Sequence, residues 1–195
     1  MDYVIDIETL STQPTAAILS IGMVAVGRDD DGEMHIVDEL ETRVDPHIYD
    51  ENPSFHISPG TLSWWDKQPN KTREAAFSGL YSLPDALDDL HDFIMENSGK
   101  VWHEDDRIWV LGPSFDIAIL EHAHAVCAMD VPWKYDAVRD LRTRFEDTGV
   151  MWKQYLGEGE AHTALGDAVA EAKGFMASQR ILDAMKEFHE TVQAA

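Results

Sequence analysis

The sequence predicts an α/β fold, a mixed five-stranded sheet with helices packed against it. Three features point there. Strand-like apolar runs follow one another through short links over the first 44 residues. Helical spacing then takes over, with Leu83, Leu87, Leu90 and Ile94 stepping by four, three and four. After residue 106, strand and helix alternate to the C-terminus. The order is βββ, helices, β, α, β, α, with the first three strands read as an antiparallel meander.

Residues 2–8 are the first strand, residues 16–26 the second and residues 33–44 the third. The polar link GRDDDG at 27–32 has the Gly-flanked composition of a hairpin loop. Gly22, inside the second strand, marks a bend or a close approach of another segment. Residues 45–59 form a loop rich in Pro, Asn and His. Ser58 and Pro59 are an N-cap and first-turn pair opening a short helix through TLSWWDKQ. Residues 107–112 are a strand ended by Gly112-Pro113, residues 115–127 a mostly apolar helix, and residues 133–138 a short strand. Residues 163–190 are helical, with a break expected near Gly174. Without a repeat, low-complexity tract or linker, residues 1–195 are read as one domain.

Composition limits the function classes. An apolar content of 44% supports a packed core. Lys and Arg total 15 against 37 Asp and Glu, a net charge of −22. That balance opposes a broad electrostatic grip on duplex DNA. Any nucleic-acid contact should be small, local and bridged by cations; otherwise the charge serves solubility or salt adaptation. No apolar run reaches the roughly 20 residues that span a bilayer. MDYVID lacks the basic start of a secretory signal, and Cys127 has no partner for an intrachain disulfide. A reducing cytoplasmic setting, in a bacterial or phage-infected cell, is expected.

Asp6 and Glu8 interrupt an apolar strand and, two residues apart, share one face. They are either solvated on an edge strand or drawn together around a divalent cation, since hard oxygen ligands suit Mg²⁺ or Mn²⁺. Asp116 enters an apolar helix just after Gly112-Pro113, where a first-turn Asp is also favoured by the helix dipole. His162 precedes the last helix and Asp167 lies within it. Singly, these two read as a capping group and a surface acid. Among the aromatics, the adjacent Trp64 and Trp65 face different ways on a helix, so one packs in the core and the other is left for base stacking. Trp65 is taken as the stacking candidate. The acidic run 103–106 is read as a solvated turn, His122 and His124 as structural, and Cys127 as buried and inert. Arg139, Arg142 and Arg144 form a basic cluster for phosphate, a partner subunit or nearby acids.

In order along the chain, D-x-E (Asp6, Glu8), a mid-chain Asp116 and H-x4-D (His162, Asp167) resemble the DnaQ-like DEDDh 3′→5′ exonucleases. DIETLSTQPTAAILSIGMV, TLSWW, WVLGPSFDIAILEHA, the RDLRT stretch and HTALGDAVAEA are most similar to the phage-type and mycobacterial-type 3′→5′ exoribonuclease branch. The resemblance implies an RNase H-like fold. It implies hydrolysis of single-stranded RNA or DNA 3′ ends, or 3′ overhangs, to nucleoside 5′-monophosphates, with RNA slightly preferred. It also implies two Mg²⁺ or Mn²⁺ ions about 4 Å apart, held by Asp6, Glu8, Asp116 and Asp167, and His162 taking the proton from the attacking water. By analogy Thr9 and Leu10 line the pocket of the terminal nucleotide. Leu10-Ser11-Thr12 stands where many relatives carry a glycine, which bears on pocket shape. A homodimer fits the branch. An oligoribonuclease-like enzyme restricted to very short oligomers, or an inactive nucleic-acid-binding module, are the alternatives.

Overall fold

Strand β1 (Asp2–Thr9) lies in the middle of a five-stranded sheet ordered β3-β2-β1-β4-β5. The structure is a computed structural model describing residues 1–157 and 161–193. β2 (Ile18–Arg28) and β3 (Met34–Arg43) continue from β1 as an antiparallel meander, as expected. β4 (Arg107–Val110) adds parallel to β1 and β5 (Val138–Asp140) parallel to β4, so the sheet is mixed. The last strand is shorter and later than the expected 133–138. Its position is set by pairing Ile108 with Val138 and Val110 with Asp140, not by an apolar run.

The two faces of β1 have different neighbours, as the two-residue period of a strand requires. Tyr3, Ile5 and Ile7 enter the larger core with α3 (Leu83–Asn97) and α4 (Asp116–Val126), where Leu87, Leu90, Ile94, Ile119 and Leu120 are fully buried. The Tyr3 hydroxyl reaches the Ile94 carbonyl at 3.1 Å and Ser98 Oγ at 2.5 Å, which pins α3 to the sheet. Val4 points the other way. It packs with Val24, Val26 and Trp109 against Leu141 and Phe145 of α5 (Leu141–Thr148) and Ala168, Ala172 and Phe175 of α6 (Ala164–Gln193). Asp6 and Glu8 continue this second face and are half-buried, which excludes an edge strand in water.

Gly22 is opposite Asp6 in the β1–β2 register. A Cβ on Gly22 would lie 2.2 Å from the carbonyl carbon of Ala164, so α6 begins directly over the strand. The close approach expected of this glycine is therefore real, and the start of α6 is what approaches. Gly174 does not break α6, which runs unbroken to Gln193. A Cβ there would sit 2.8 Å from Trp152 Cβ and 3.1 Å from Phe145 Cζ. Its missing side chain lets the 3-10 turn Trp152–Tyr155 and α5 close on the helix.

Ser58 caps α1 (Pro59–Trp65) as expected, accepting from the Thr61 amide at 3.4 Å. α2 (Asn70–Ala76) and α5 add to the expected helices. Asp106 is buried, not solvated, and accepts hydrogen bonds from the His103 amide and Ser98 Oγ. His122 and His124 bond to the Ser54 and Leu120 carbonyls, a structural role as expected. Cys127 is only half-buried, and burial pushes its thiol up. Among the described residues no helix is long and apolar enough to cross a membrane.

Candidate active site

Three chain segments deliver acids to one place. β1 supplies Asp6 and Glu8 on its α6-facing side. The turn after β4 reverses through Gly112-Pro113 into α4, whose first residue is Asp116, 4% exposed. The close contact at Gly22 sets the first turn of α6 over β1, and Asp167, 9% exposed, sits in that turn. One turn later on the same helix face comes Glu171, 1% exposed.

His162 lies at the mouth of this cluster with left-handed backbone, φ +62°. Its amide donates to Asp167 Oδ2 at 2.8 Å, closing the entry to α6. Its ring is exposed and meets Trp64 edge-on, centroids 4.9 Å apart. One ligand atom each from Glu8, His162 and Asp167 falls within a 4.8 Å set. Asp6, Glu8, Asp167 and Glu171 line an open cavity of about 960 Å³ together with Val150, Met151, Trp152 and Leu156. Arg142 and Lys153 bring positive charge to it.

So many carboxylates in partial burial oppose their own ionisation. Burial, then Glu171, Asp116, Glu8 and Asp167, push Asp6 well above the usual carboxylate range. Burial followed by Asp167 and Asp116 pushes Glu8 up to about 8. Asp116 rises to about 7 by burial, against backbone hydrogen bonds at Asp116, Gly112 and Ile7 and the Arg142 charge. Burial also raises Asp167, opposed by the His162 amide, His162 and Lys153. An all-oxygen donor set short of positive charge fits hard divalent cations. Asp6, Glu8, Asp116 and Asp167 have the donor chemistry to hold them.

The expected substrate contacts are placed differently. Trp65 is 1% exposed and its indole N–H donates to the Thr9 carbonyl at 3.0 Å, so it is the core member of the pair. Trp64, 38% exposed, is the indole left at the surface. Thr9 and Leu10 are buried: Thr9 Oγ1 donates to the Ser11 carbonyl and the Leu10 amide to the Ala17 carbonyl. None of the three lines the acidic cavity, because the chain after Glu8 is tied down beneath α1 by these bonds and by the Ser58 amide on the Leu10 carbonyl. The arginine cluster divides. Arg142 reaches the cavity, Arg139 bonds to the Asp136 and Val138 carbonyls, and Arg144 lies over Trp109 and Phe175. Glu171 escaped the sequence reading, since a lone Glu among alanines has the pattern of a surface residue. Its spacing of four from Asp167 was the available signal.

Residues 1–179 match the family model described as the 3′-5′ exoribonuclease Rv2179c-like domain. An exodeoxyribonuclease of Enterobacteria phage T4 is 25% identical over 163 residues, covering 74% of this chain and 70% of that one. Solved structures share the fold at low identity. The nuclease domain of 3′hExo, a DEDDh family member bound to rAMP, superposes with a TM-score of 0.59 at 13% identity, covering 93% of this chain and 92% of that one. Cell-death related nuclease 4 gives 0.59 at 10% identity, over 92% of this chain and 64% of that one. A 3′-exonuclease described in recognition of the histone mRNA stem-loop gives 0.53 at 15% identity, over 93% and 82%.

Proposed function

The chain belongs to the Rv2179c-like 3′-5′ exoribonuclease family, a DEDDh-type 3′→5′ exonuclease of RNase H-like fold, and on that premise we propose its substrate, cofactors and working residues. The whole chain acts as one exonuclease domain on single-stranded nucleic acid or 3′ overhangs, with RNA preferred to DNA, and releases nucleoside 5′-monophosphates. The observation that carries this is the meeting of Glu8, His162 and Asp167 within 4.8 Å at the mouth of an acid-lined cavity. Among the relatives, 3′hExo was found with rAMP and another 3′-exonuclease with a histone mRNA stem-loop, which favours RNA 3′ ends here. The phage relative is an exodeoxyribonuclease, which keeps DNA in the test.

Two Mg²⁺ or Mn²⁺ ions, when bound, would supply the positive charge that activates water and stabilises the leaving 3′ oxygen. Asp6, Glu8, Asp116 and Asp167 hold that charge in place. His162 accepts the proton of the attacking water at a ring nitrogen, a role open to it because its ring is exposed while its backbone is fixed on Asp167. Arg142 and Lys153, which line the same cavity, meet the phosphate. Trp64, beside His162, takes the stacking role expected of its neighbour Trp65. Thr9 and Leu10 support the terminal-nucleotide pocket from beneath, through Trp65. We place the enzyme in the cytoplasm and propose a homodimer, for which the exposed stripe of Ile181, Met185, Phe188 and Val192 on α6 is the apolar surface offered. Sedimentation velocity reads the dimer directly.

Degradation of 5′-labelled RNA and DNA strands of one sequence, with Mg²⁺, Mn²⁺ or EDTA, tests the reading. Stepwise shortening of the RNA from its 3′ end, halted by EDTA, is expected. Activity that persists in EDTA, or shortening from the 5′ end, contradicts it.

A further inference from the structure

Glu171 is a buried acid that the proposed reaction leaves without a role. It is 1% exposed, and both of its carboxylate oxygens lack a hydrogen-bond partner among the described residues. Leaving a buried charge unpaired is strongly destabilising. A neutral carboxyl in the same place would still leave a donor and an acceptor unmet. Small neighbours on the helix, Ala168, Ala170 and Ala172, offer neither. The side chain is not facing away from the site. It lines the same cavity as Asp6, Glu8 and Asp167, and its helical spacing from Asp167 sets the two on one face.

Its charged surroundings are one-sided. Burial, then Asp116 and Asp167, push Glu171 well above the usual carboxylate range, and Glu171 is the foremost anionic influence on Asp6. Arg142 alone opposes, and it remains exposed with its Nε on the Leu111 carbonyl. Among the described residues no group hydrogen-bonds this carboxylate, whereas a cation held by its neighbours would answer it.

We propose that Glu171 is a fifth carboxylate of the cation site, giving an anionic oxygen to the bound divalent ion or to its water shell, beyond the four acids of the D-x-E, Asp and H-x4-D pattern. This rests on the reading of those four as cation ligands. The consequence is that the clustered acids cost stability in the metal-free protein and bind Mg²⁺ or Mn²⁺ more tightly than four acids would achieve.

The test needs no substrate. Calorimetric titration with Mn²⁺ and thermal melts in EDTA and in Mn²⁺ are compared for the wild type, Glu171→Gln and Asp116→Asn. For Glu171→Gln we expect Mn²⁺ affinity to fall tenfold or more, the melting temperature in EDTA to rise by several degrees, and the gain on adding Mn²⁺ to shrink. Unchanged Mn²⁺ affinity with an unchanged Mn²⁺ gain overturns the proposal. If Asp116→Asn keeps its affinity as well, the cation site itself is refuted. If Asp116→Asn loses affinity and Glu171→Gln does not, only the role of Glu171 falls. Should Glu171→Gln fail to fold, Glu171→Met, of similar shape and without polar atoms, is judged by the same two affinities and melts.

Discussion

The His162 amide donates to Asp167 Oδ2 at 2.8 Å while the His162 backbone is left-handed, φ +62°. One residue of the H-x4-D pair thus fixes the other through the main chain, while the imidazole stays exposed. Substitution at 162 must respect that backbone. Asn adopts the left-handed region more readily than most residues. His162→Asn should therefore keep the fold, with a melting temperature within a degree or two of wild type. Its kcat should fall by about 10²–10⁴-fold, the range for loss of a general base. Single-turnover hydrolysis with Mg²⁺ checks it, and near-wild-type kcat in a folded variant would remove His162 from the proton transfer.

Gly22 controls whether the acids of β1 and α6 meet. It pairs with Asp6, and an added Cβ would lie 2.2 Å from a backbone atom of Ala164, which cannot yield as a side chain can. Gly22→Ala should lift the start of α6 and move Asp167 and Glu171 away from β1. We expect a loss of roughly 1–3 kcal/mol, the usual cost of overpacking, together with weaker Mn²⁺ binding. Urea unfolding and Mn²⁺ titration measure the two. A variant that loses stability but binds Mn²⁺ as tightly as wild type would show that α6 is not positioned through this contact.

The metal-free protein should be less stable at higher pH. Glu8 is pushed up to about 8 and Asp116 to about 7, above ordinary carboxyl values near 4. Between those limits the folded chain holds protons that the unfolded chain has released, so unfolding free energy falls as pH rises. The penalty is absent below the ordinary carboxyl range and complete above about 8. Melting temperatures in EDTA should decline from pH 5 to 8, less steeply in Asp116→Asn. Added Mg²⁺ should flatten the decline, since cations favour the ionised acids. A melting temperature in EDTA that climbs across this range would mean these carboxyls are not buried together.

What the sequence shows and hides follows from how each element is held. The meander was legible as strand-like runs joined by short polar links, α3 because its apolar residues repeat at the helical period, and α4 as a mostly apolar stretch after Gly112-Pro113. β5 was misplaced because three residues, Val138–Asp140, are made a strand by β4 and carry no pattern of their own. α5 was passed over because LRTRFEDT buries only Leu141 and Phe145, one turn apart in a charged segment. Gly174 resembled a helix break when read locally, but its reason lies in Trp152 and Phe145, distant in sequence. The acids of the site were legible as an ordered pattern, whereas Glu171 has meaning only once its burial is known. The choice between Trp64 and Trp65 turned on which indole reaches Thr9, and spacing on one short helix does not decide that.

That choice has a test. Trp65 is fully packed, so Trp65→Ala should cost on the order of 3–5 kcal/mol of stability, as large core truncations do. Trp64→Ala should leave stability nearly unchanged and weaken binding of a single strand by about 1–3 kcal/mol, the range for loss of one stacked base. Binding is read by fluorescence anisotropy in Ca²⁺, a cation of the same charge that binds hard oxygen ligands. If Trp64→Ala binds the strand as well as wild type, the indole only buttresses the His162 ring.

Salt dependence should be shallow. The net charge is −22, and among the described residues the Lys and Arg lining the acidic cavity are Arg142 and Lys153. Two neutralised phosphates on a single strand predict a slope near −1.4 for log affinity against log salt, from about −0.7 per phosphate. Replacing Arg142 by Ala should bring the slope toward −0.7, because one contact is removed. A substrate tracked along many phosphates would instead give a slope steeper than about −4, and the acidic surface beyond the cavity would repel rather than guide such a strand. A short 3′ end entering the cavity, with its charge answered locally by two side chains and the bound cations, is the arrangement in which a protein of this charge can hold a polyanion at all.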